Sequence, residues 1–244
     1  MDVASPAWCG LLLSLAATCR AAEPITLFYN ERPPYLVTEA GGAVSGLTAT
    51  PAMRAFQAAG LDFVWTKTPS NRQLVLLQAG GQRCAVGWFR TAERERHAKF
   101  SSPIYRDLPQ VAVVRNGYAI PPGLPLEQLM ATPGLRLLVK EHYSYGSRID
   151  ELIRRFRPTL ISTTAENGAM MAMISAKRAD LMFVAKEEAA YLTGIAAAGQ
   201  RRYHVVGFAD LPDGEARHII CSLDVADEAM RRIDAAIASW SDLR

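Results

Sequence analysis

Cys84-Ala85-Val86-Gly87-Trp88-Phe89, running on into Arg90-Thr91-Ala92-Glu93-Arg94-Glu95-Arg96-His97-Ala98-Lys99-Phe100-Ser101-Ser102-Pro103-Ile104-Tyr105, is the stretch on which the reading of this chain turns. Its first six residues are an apolar run of strand length. The charged segment from Glu93 to Lys99 then breaks the rhythm established before it. Working backward, Phe63-Val64-Trp65 reads as a strand, and Asn71 to Ala79 as the helix after it, closed by Gly80-Gly81. Earlier still, Ile25 to Tyr29 is a strand, and Ala49 to Ala59 is a helix with Pro51 near its start and Gly60 at its end. The order is β-α-β-α-β. Such alternation calls for parallel strands with helices packed on the sheet faces, because parallel connections need a crossover of a dozen or more residues.

Working forward, Gln110 to Val114 starts a new strand, and Ile120-Pro121-Pro122-Gly123-Leu124-Pro125 marks a long surface loop. A second α/β set follows: strand Leu135 to Val139, helix Ser147 to Phe156, strand Thr159 to Ser162, helix Ala165 to Lys177, strand Asp180 to Val184 and helix Glu187 to Ala197. The chain closes with strands Val205 to Phe208 and His218 to Leu223, then a helix with Met230, Ile233, Ile237 and Trp240 on one face. The pattern therefore predicts two α/β lobes. A length of 244 residues accommodates one large domain or two small ones.

Composition excludes several classes. With 27 Lys and Arg against 24 Asp and Glu, and the basic residues scattered, the dense one-sided surface that holds nucleic acid is not expected. After the amino terminus, no apolar run approaches the ~20 residues of a membrane crossing. Trp8 to Ala17 forms a short apolar core followed by small residues up to Ala21-Ala22, which reads as a cleaved secretory signal over residues 1–22. Its leading segment lacks Lys and Arg, and Arg20 sits in the cleavage zone. The alternatives are a buried first helix or acylation at Cys19, which Thr18 disfavours. Export to the periplasm leaves Cys84 and Cys221, which either pair or serve as small buried hydrophobes. Both fall on predicted strands, and no C-x-x-C spacing supports redox or zinc chemistry.

Catalytic signatures are missing. His97, His142, His204 and His218 lie in separate segments without metal-ligand spacing, so no metal site or cofactor is expected. No G-x-S-x-G elbow, phosphate loop or dinucleotide fingerprint occurs. Glu187-Glu188 are adjacent on a helix and point roughly 100° apart, so they read as a charged first turn facing water, favoured there by the helix dipole.

Within the opening stretch, Thr91-x-x-Arg94 followed by Phe100-Ser101-x-Pro103-x-Tyr105 resembles family 3 of the periplasmic solute-binding proteins, of the type II, amino-acid-binding-like kind. Tyr29-Asn30-Glu31-Arg32-Pro33-Pro34-Tyr35 after the first strand, Ser45-Gly46-Leu47 before the first helix and Trp65 before the second match the same family in order. The resemblance covers the chain after the signal. It implies a two-lobed α/β fold, each lobe a sheet flanked by helices, with residues 23–108 and 208–244 in lobe one, 109–207 in lobe two, and two crossings forming a hinge. It implies a monomeric, non-enzymatic binder that takes a small anionic or amino-acid-like solute into the interlobe cleft and delivers it to a membrane transporter or sensor. The other readings are a dehydratase-like enzyme on the same fold and an interaction module without ligand.

Carried over residue by residue, the resemblance makes Arg94 the guanidinium that holds a ligand carboxylate, a role suited to its planar five-donor fork. Thr91, Gly87 and Trp88 lie beside it, and Tyr29 and Tyr35 are either stacking or core residues. In lobe two, Ser144, Tyr145 and Gly146 lead into a helix start that attracts anions. The family usually places an Asp near the end of the strand Leu181 to Val184 to hold a ligand ammonium; Ala185 and Lys186 stand there instead, and Glu187 is the residue left to substitute. The bland alternative for Glu93 to Arg96 is an alternating-charge face in solvent.

Overall fold

The computed structural model describes residues 23–195 and 202–240; the segment read as a signal lies outside the described residues. The first part of the chain forms β1 (Ile25–Tyr29), β2 (Val37–Thr38), β3 (Val44–Ser45), α1 (Ala49–Ala58), β4 (Phe63–Lys67), α2 (Ser70–Gln78), β5 (Arg83–Phe89), α3 (Ala92–Glu95), β6 (Ala98–Phe100) and β7 (Tyr105–Arg106). The second part forms β8 (Gln110–Arg115), α4 (Leu126–Met130), β9 (Arg136–Lys140), α5 (Ser147–Phe156), β10 (Thr159–Thr163), α6 (Asn167–Ser175), β11 (Leu181–Ala185), α7 (Lys186–Ile195) and β12 (Tyr203–Gly207). The chain then returns through β13 (Ala216–Ser222) and α8 (Asp227–Ala238). The segments α3, β6, β7 and α4 are too short to carry a periodic signal, and the sequence pattern did not separate them from loops.

Two sheets result, in the order β4-β1-β5-β13-β6, with β7 also on β13, and β10-β9-β11-β8-β12. β1 pairs parallel with β4 and β5, whereas β13 runs antiparallel to β5, β6 and β7. In the second sheet β9 runs parallel to β10 and β11, and β8 is antiparallel to β11 and β12. The chain passes between sheets twice, from β7 to β8 and from β12 to β13.

Neighbouring residues on a strand point to opposite faces, and here both faces are covered, which is why the strands read as continuous apolar runs. In the first lobe Leu27, Phe56, Ile219, Ile233 and Ile237 pack on one side, while Phe28, Leu77, Ala85, Trp88 and Ile220 pack on the other. The second lobe repeats the arrangement, with Leu137, Ile149, Leu152 and Phe183 on one side and Leu138, Met170, Ile174 and Met182 on the other.

One irregularity positions the site. The β5–β13 ladder shifts register between His218 and Ile219, so that Trp88 and Val86 are paired and Gly87 between them is not. Gly87 adopts φ +85°, where a Cβ would also come within 3.2 Å of Thr48 Oγ1. A bulge at a left-handed glycine leaves its carbonyl free of the ladder, and that oxygen accepts from Arg217 Nη1 at 2.7 Å.

Cys84 of β5 lies opposite Cys221 of β13, and the two are joined in a disulfide 137 residues apart in sequence. Closing so long a loop removes freedom from the unfolded chain, worth about 4–5 kcal/mol in the loop-entropy account. The double variant Cys84→Ala/Cys221→Ala is therefore expected to lose about 4–5 kcal/mol in urea unfolding, and dithiothreitol on the wild type to cause the same loss. Equal unfolding midpoints for the two proteins would contradict this.

Candidate functional site

The carboxyl ends of β1, β5, β9 and β11 meet between the two sheets, the position where α/β sheets place ligands. Arg32, just past β1, points its guanidinium into lobe two: Nε and Nη2 donate to Oε1 and Oε2 of Glu188 at 2.9 and 2.7 Å, and Nη1 donates to the Tyr143 hydroxyl. The guanidinium carbon lies 5.0 Å from the Tyr35 ring centroid and 5.1 Å from that of Tyr143. Asn167 Nδ2 donates to Glu188 Oε1 at 2.5 Å. Arg32 is 9% exposed and Glu188 is fully buried, so this pair between lobes is sealed from water. Burial alone would raise the Glu188 carboxyl; the charge and hydrogen bonds of Arg32 outweigh it and hold the group below its ordinary value. The expectation of a water-facing first turn is thus corrected for Glu188.

Around this pair the lobes are stitched further. Asn30 Nδ2 and Lys140 Nζ both donate to Glu166 Oε2, at 3.0 and 2.6 Å. Arg217, 2% exposed, donates Nε and Nη2 to the two Asp107 oxygens at 2.5 and 2.6 Å, with its guanidinium carbon 4.3 Å from the Tyr35 ring centroid and 4.6 Å from that of Phe89. What remains at the centre is two cavities of about 10 and 20 Å³, each room for about one water molecule.

Tyr143 lines both, and its other side lines a much larger cavity of about 710 Å³ bounded by α2, the segment after β5 and the start of α5. Arg94 faces this cavity. Its guanidinium carbon sits 4.8 Å from the Trp88 ring centroid, Nη1 donates to the Phe89 carbonyl at 2.8 Å, and Nη2 donates across the crevice to the His142 carbonyl at 3.1 Å. Among the described residues no carboxylate forms an ion pair with it. Burial pushes its pKa down to about 10 against the opposing charges of Glu93 and Asp150, so it is cationic at neutral pH but not ion-paired. Arg154, on α5 of the other lobe, lines the same cavity.

The structure divides the residues singled out from sequence. Thr91, Arg94, Ser144 and Gly146 line the larger cavity. Thr91 caps α3, its hydroxyl accepting from the Arg94 amide, and Gly146 caps α5 at φ +96°. Tyr35, Gly87 and Trp88 surround the small central cavity beside Arg32 instead, with Trp88 Nε1 donating to Gln73 Oε1 at 3.0 Å. The Tyr145 hydroxyl accepts from the Lys140 amide at 2.7 Å and its ring packs in the second lobe's core. Tyr29 packs edge-on against Trp65 in the first lobe's core, with its hydroxyl on Thr38. Glu187 does not face a cavity described here: its Oε1 accepts from Tyr35 and Tyr105 hydroxyls at 2.9 and 3.1 Å and from the Leu108 amide at 3.2 Å, at the first crossing. That engagement corrects its expected role toward a ligand ammonium.

Sequence reasoning missed Arg32, Glu188, Tyr143 and Asn167. The only signal was that two opposite charges followed the ends of two buried strands, which no local pattern connects across 156 residues.

A model of the bacterial extracellular solute-binding proteins, family 3, matches residues 25–239. Among solved structures, an ancestral arginine-binding protein bound to arginine superposes at a TM-score of 0.70 with 17% identity, over 88% of this chain and 91% of that one. A histidine kinase sensor domain with similarity to periplasmic binding proteins gives 0.70 and 16%, over 88% and 89%. The VFT2 domain of BvgS from Bordetella pertussis gives 0.69 and 19%, over 89% and 88%. At such identities these likenesses establish the two-lobed fold. A search of the curated proteins returns no match.

The direction of the Glu188 shift fixes a pH dependence. A carboxyl whose folded value is depressed contributes stability that is present above its ordinary pKa, 4.5, and is lost as pH falls below that through the folded value. Thermal melts between about pH 3 and 7 should therefore show wild type losing its advantage over Glu188→Gln on acidification. Parallel curves for the two proteins would show that the pair contributes nothing.

Proposed function

The chain belongs to the bacterial extracellular solute-binding proteins, family 3, and from that membership we propose that it is exported and reversibly captures a small carboxylate-bearing solute between its lobes. The observation that carries this reading is Arg94: a cation in no ion pair among the described residues, stacked on Trp88 and facing a cavity of about 710 Å³. Guanidinium and carboxylate match bidentately, and the charge of Arg94 persists when water is excluded. The α5 start, with Ser144 and Ser147 on the opposite wall, supplies polar groups from the second lobe. Domain closure about the two crossings would shield the ion pair, with solute contacts favouring the shut state.

No carboxylate aligned like the family's usual Asp faces the larger cavity from β11, since Glu187 and Glu188 are both engaged. An ammonium group in that cavity would have to be met instead by Glu93, Asp150 or Glu215 of its lining. A membrane transporter and a sensor are both natural recipients; the sensor-domain neighbour supports the second as much as the family supports the first.

Two measurements test the reading. Native mass spectrometry of freshly purified protein identifies the solute, and titration calorimetry then compares variants. Arg94→Ala should lose roughly 2–5 kcal/mol of binding, about 30-fold to several-thousand-fold in affinity, and Arg94→Lys should recover only part of it. Unchanged affinity in Arg94→Ala would remove Arg94 as the anchor. For export, amino-terminal sequencing of periplasmic protein should begin near Ala22 or Glu23, whereas retention of Met1 on cytoplasmic protein would refute it.

A further inference from the structure

The centre of the crevice, where strand ends of both lobes meet, is filled by a side chain of the protein itself. Arg32 belongs to lobe one, and every group that receives its guanidinium belongs to lobe two: both oxygens of Glu188 and the hydroxyl of Tyr143. Glu188 is held in register by Asn167, from a third element. Tyr143 meets the guanidinium through its hydroxyl, and the Tyr35 ring centroid lies 5.0 Å from the guanidinium carbon. A planar fork accepted bidentately by a buried carboxylate, hydrogen-bonded at its remaining nitrogen and set beside an aromatic ring is an arrangement by which a protein binds a guanidinium solute.

We infer that Glu188, Asn167 and Tyr143 form a guanidinium-binding subsite of lobe two that the chain occupies with its own Arg32, so that the lobes close on each other without a solute. The pair holds the lobes together because its members lie on different lobes: opening the crevice returns both charges to water, while closing it without Arg32 would bury Glu188 uncompensated. The ion pair is thus a latch across the crevice and is not needed to fold either lobe. Solutes that bind in the larger cavity do so beside a centre already filled, and organic cations are kept from the centre by competition with Arg32.

Arg32→Ala removes the atoms of one ethylguanidinium, which makes that ion the natural probe. Small-angle scattering of solute-free wild type should give the compact, closed radius of gyration, and Arg32→Ala a larger one at an unchanged circular dichroism spectrum. Millimolar ethylguanidinium should return Arg32→Ala to the wild-type radius, and ethylammonium, which carries the charge without the fork, should not. Glu188→Gln should also be expanded and should not respond to ethylguanidinium. The inference is overturned if Arg32→Ala is as compact as wild type, if it opens but ignores ethylguanidinium, or if it unfolds, since unfolding would assign the pair to the fold. The probes are cations and no anionic solute is added, so the outcome is independent of whether Arg94 holds an anion.

Discussion

The Arg217 guanidinium is the constraint around which the two lobes are arranged. It leaves β13, the strand on which the chain re-enters the first lobe, and is bonded to Asp107 in the segment by which the chain leaves that lobe. Its third nitrogen, Nη1, reaches the Gly87 carbonyl freed by the bulge in β5, and the Tyr35 and Phe89 rings face it. Desolvating an ion costs several kcal/mol, and here that cost is met by an opposite charge and a bond at each guanidinium nitrogen. Meeting that demand fixes three things together: where the outgoing segment runs, where the returning strand sits, and which way the glycine carbonyl turns. Tyr35, held beneath the guanidinium, in turn presents its hydroxyl to Glu187, so the same cation also sets the start of α7.

How much of this was legible depends on distance along the chain. Ile25–Tyr29, Cys84 to Phe89 and Leu181 to Val184 announce themselves because a strand covered on both faces needs unbroken apolar residues, and Gly60 and Gly80-Gly81 punctuate the helices between them. The Ser147–Phe156 helix could be read to its ends, from the glycine before it to the basic residues in its last turn. Side-chain partnerships of high separation could not. Glu188 has the local signature of a solvated helix start, and only the placement of Arg32 from the other lobe makes it buried. Tyr29 and Tyr35 look alike in sequence, and both are buried in the first lobe's core, but only Tyr35, on the loop after β1, also borders the small central cavity. The resemblance motif located Arg94 at the crevice edge but said nothing of the cavity beside it.

The comparisons join a shared backbone frame to divergent side chains. At 16–19% identity to the solved structures described above, the order of strands and helices persists, because it is set by burial pattern rather than by particular residues. The loops at the strand ends are under no such restraint, and there this chain has concentrated its charge: Arg32, Lys140, Glu166, Glu187 and Glu188 all follow or end a strand or begin a helix. A crevice that is densely and internally paired in this way discriminates by exclusion as well as by contact, since any polar solute entering it must replace bonds that the protein already makes to itself.

The bond between Cys84 and Cys221 has a topological meaning beyond its energy. β5 and β13 are adjacent strands of one sheet, yet the whole of the second lobe lies between them in sequence. The second lobe is therefore a loop tied at its neck, and the molecule is a covalent ring carrying two tails. A single peptide-bond break anywhere in that ring leaves the pieces covalently joined, whereas a break in either tail leaves its outer piece held by packing and strand pairing alone.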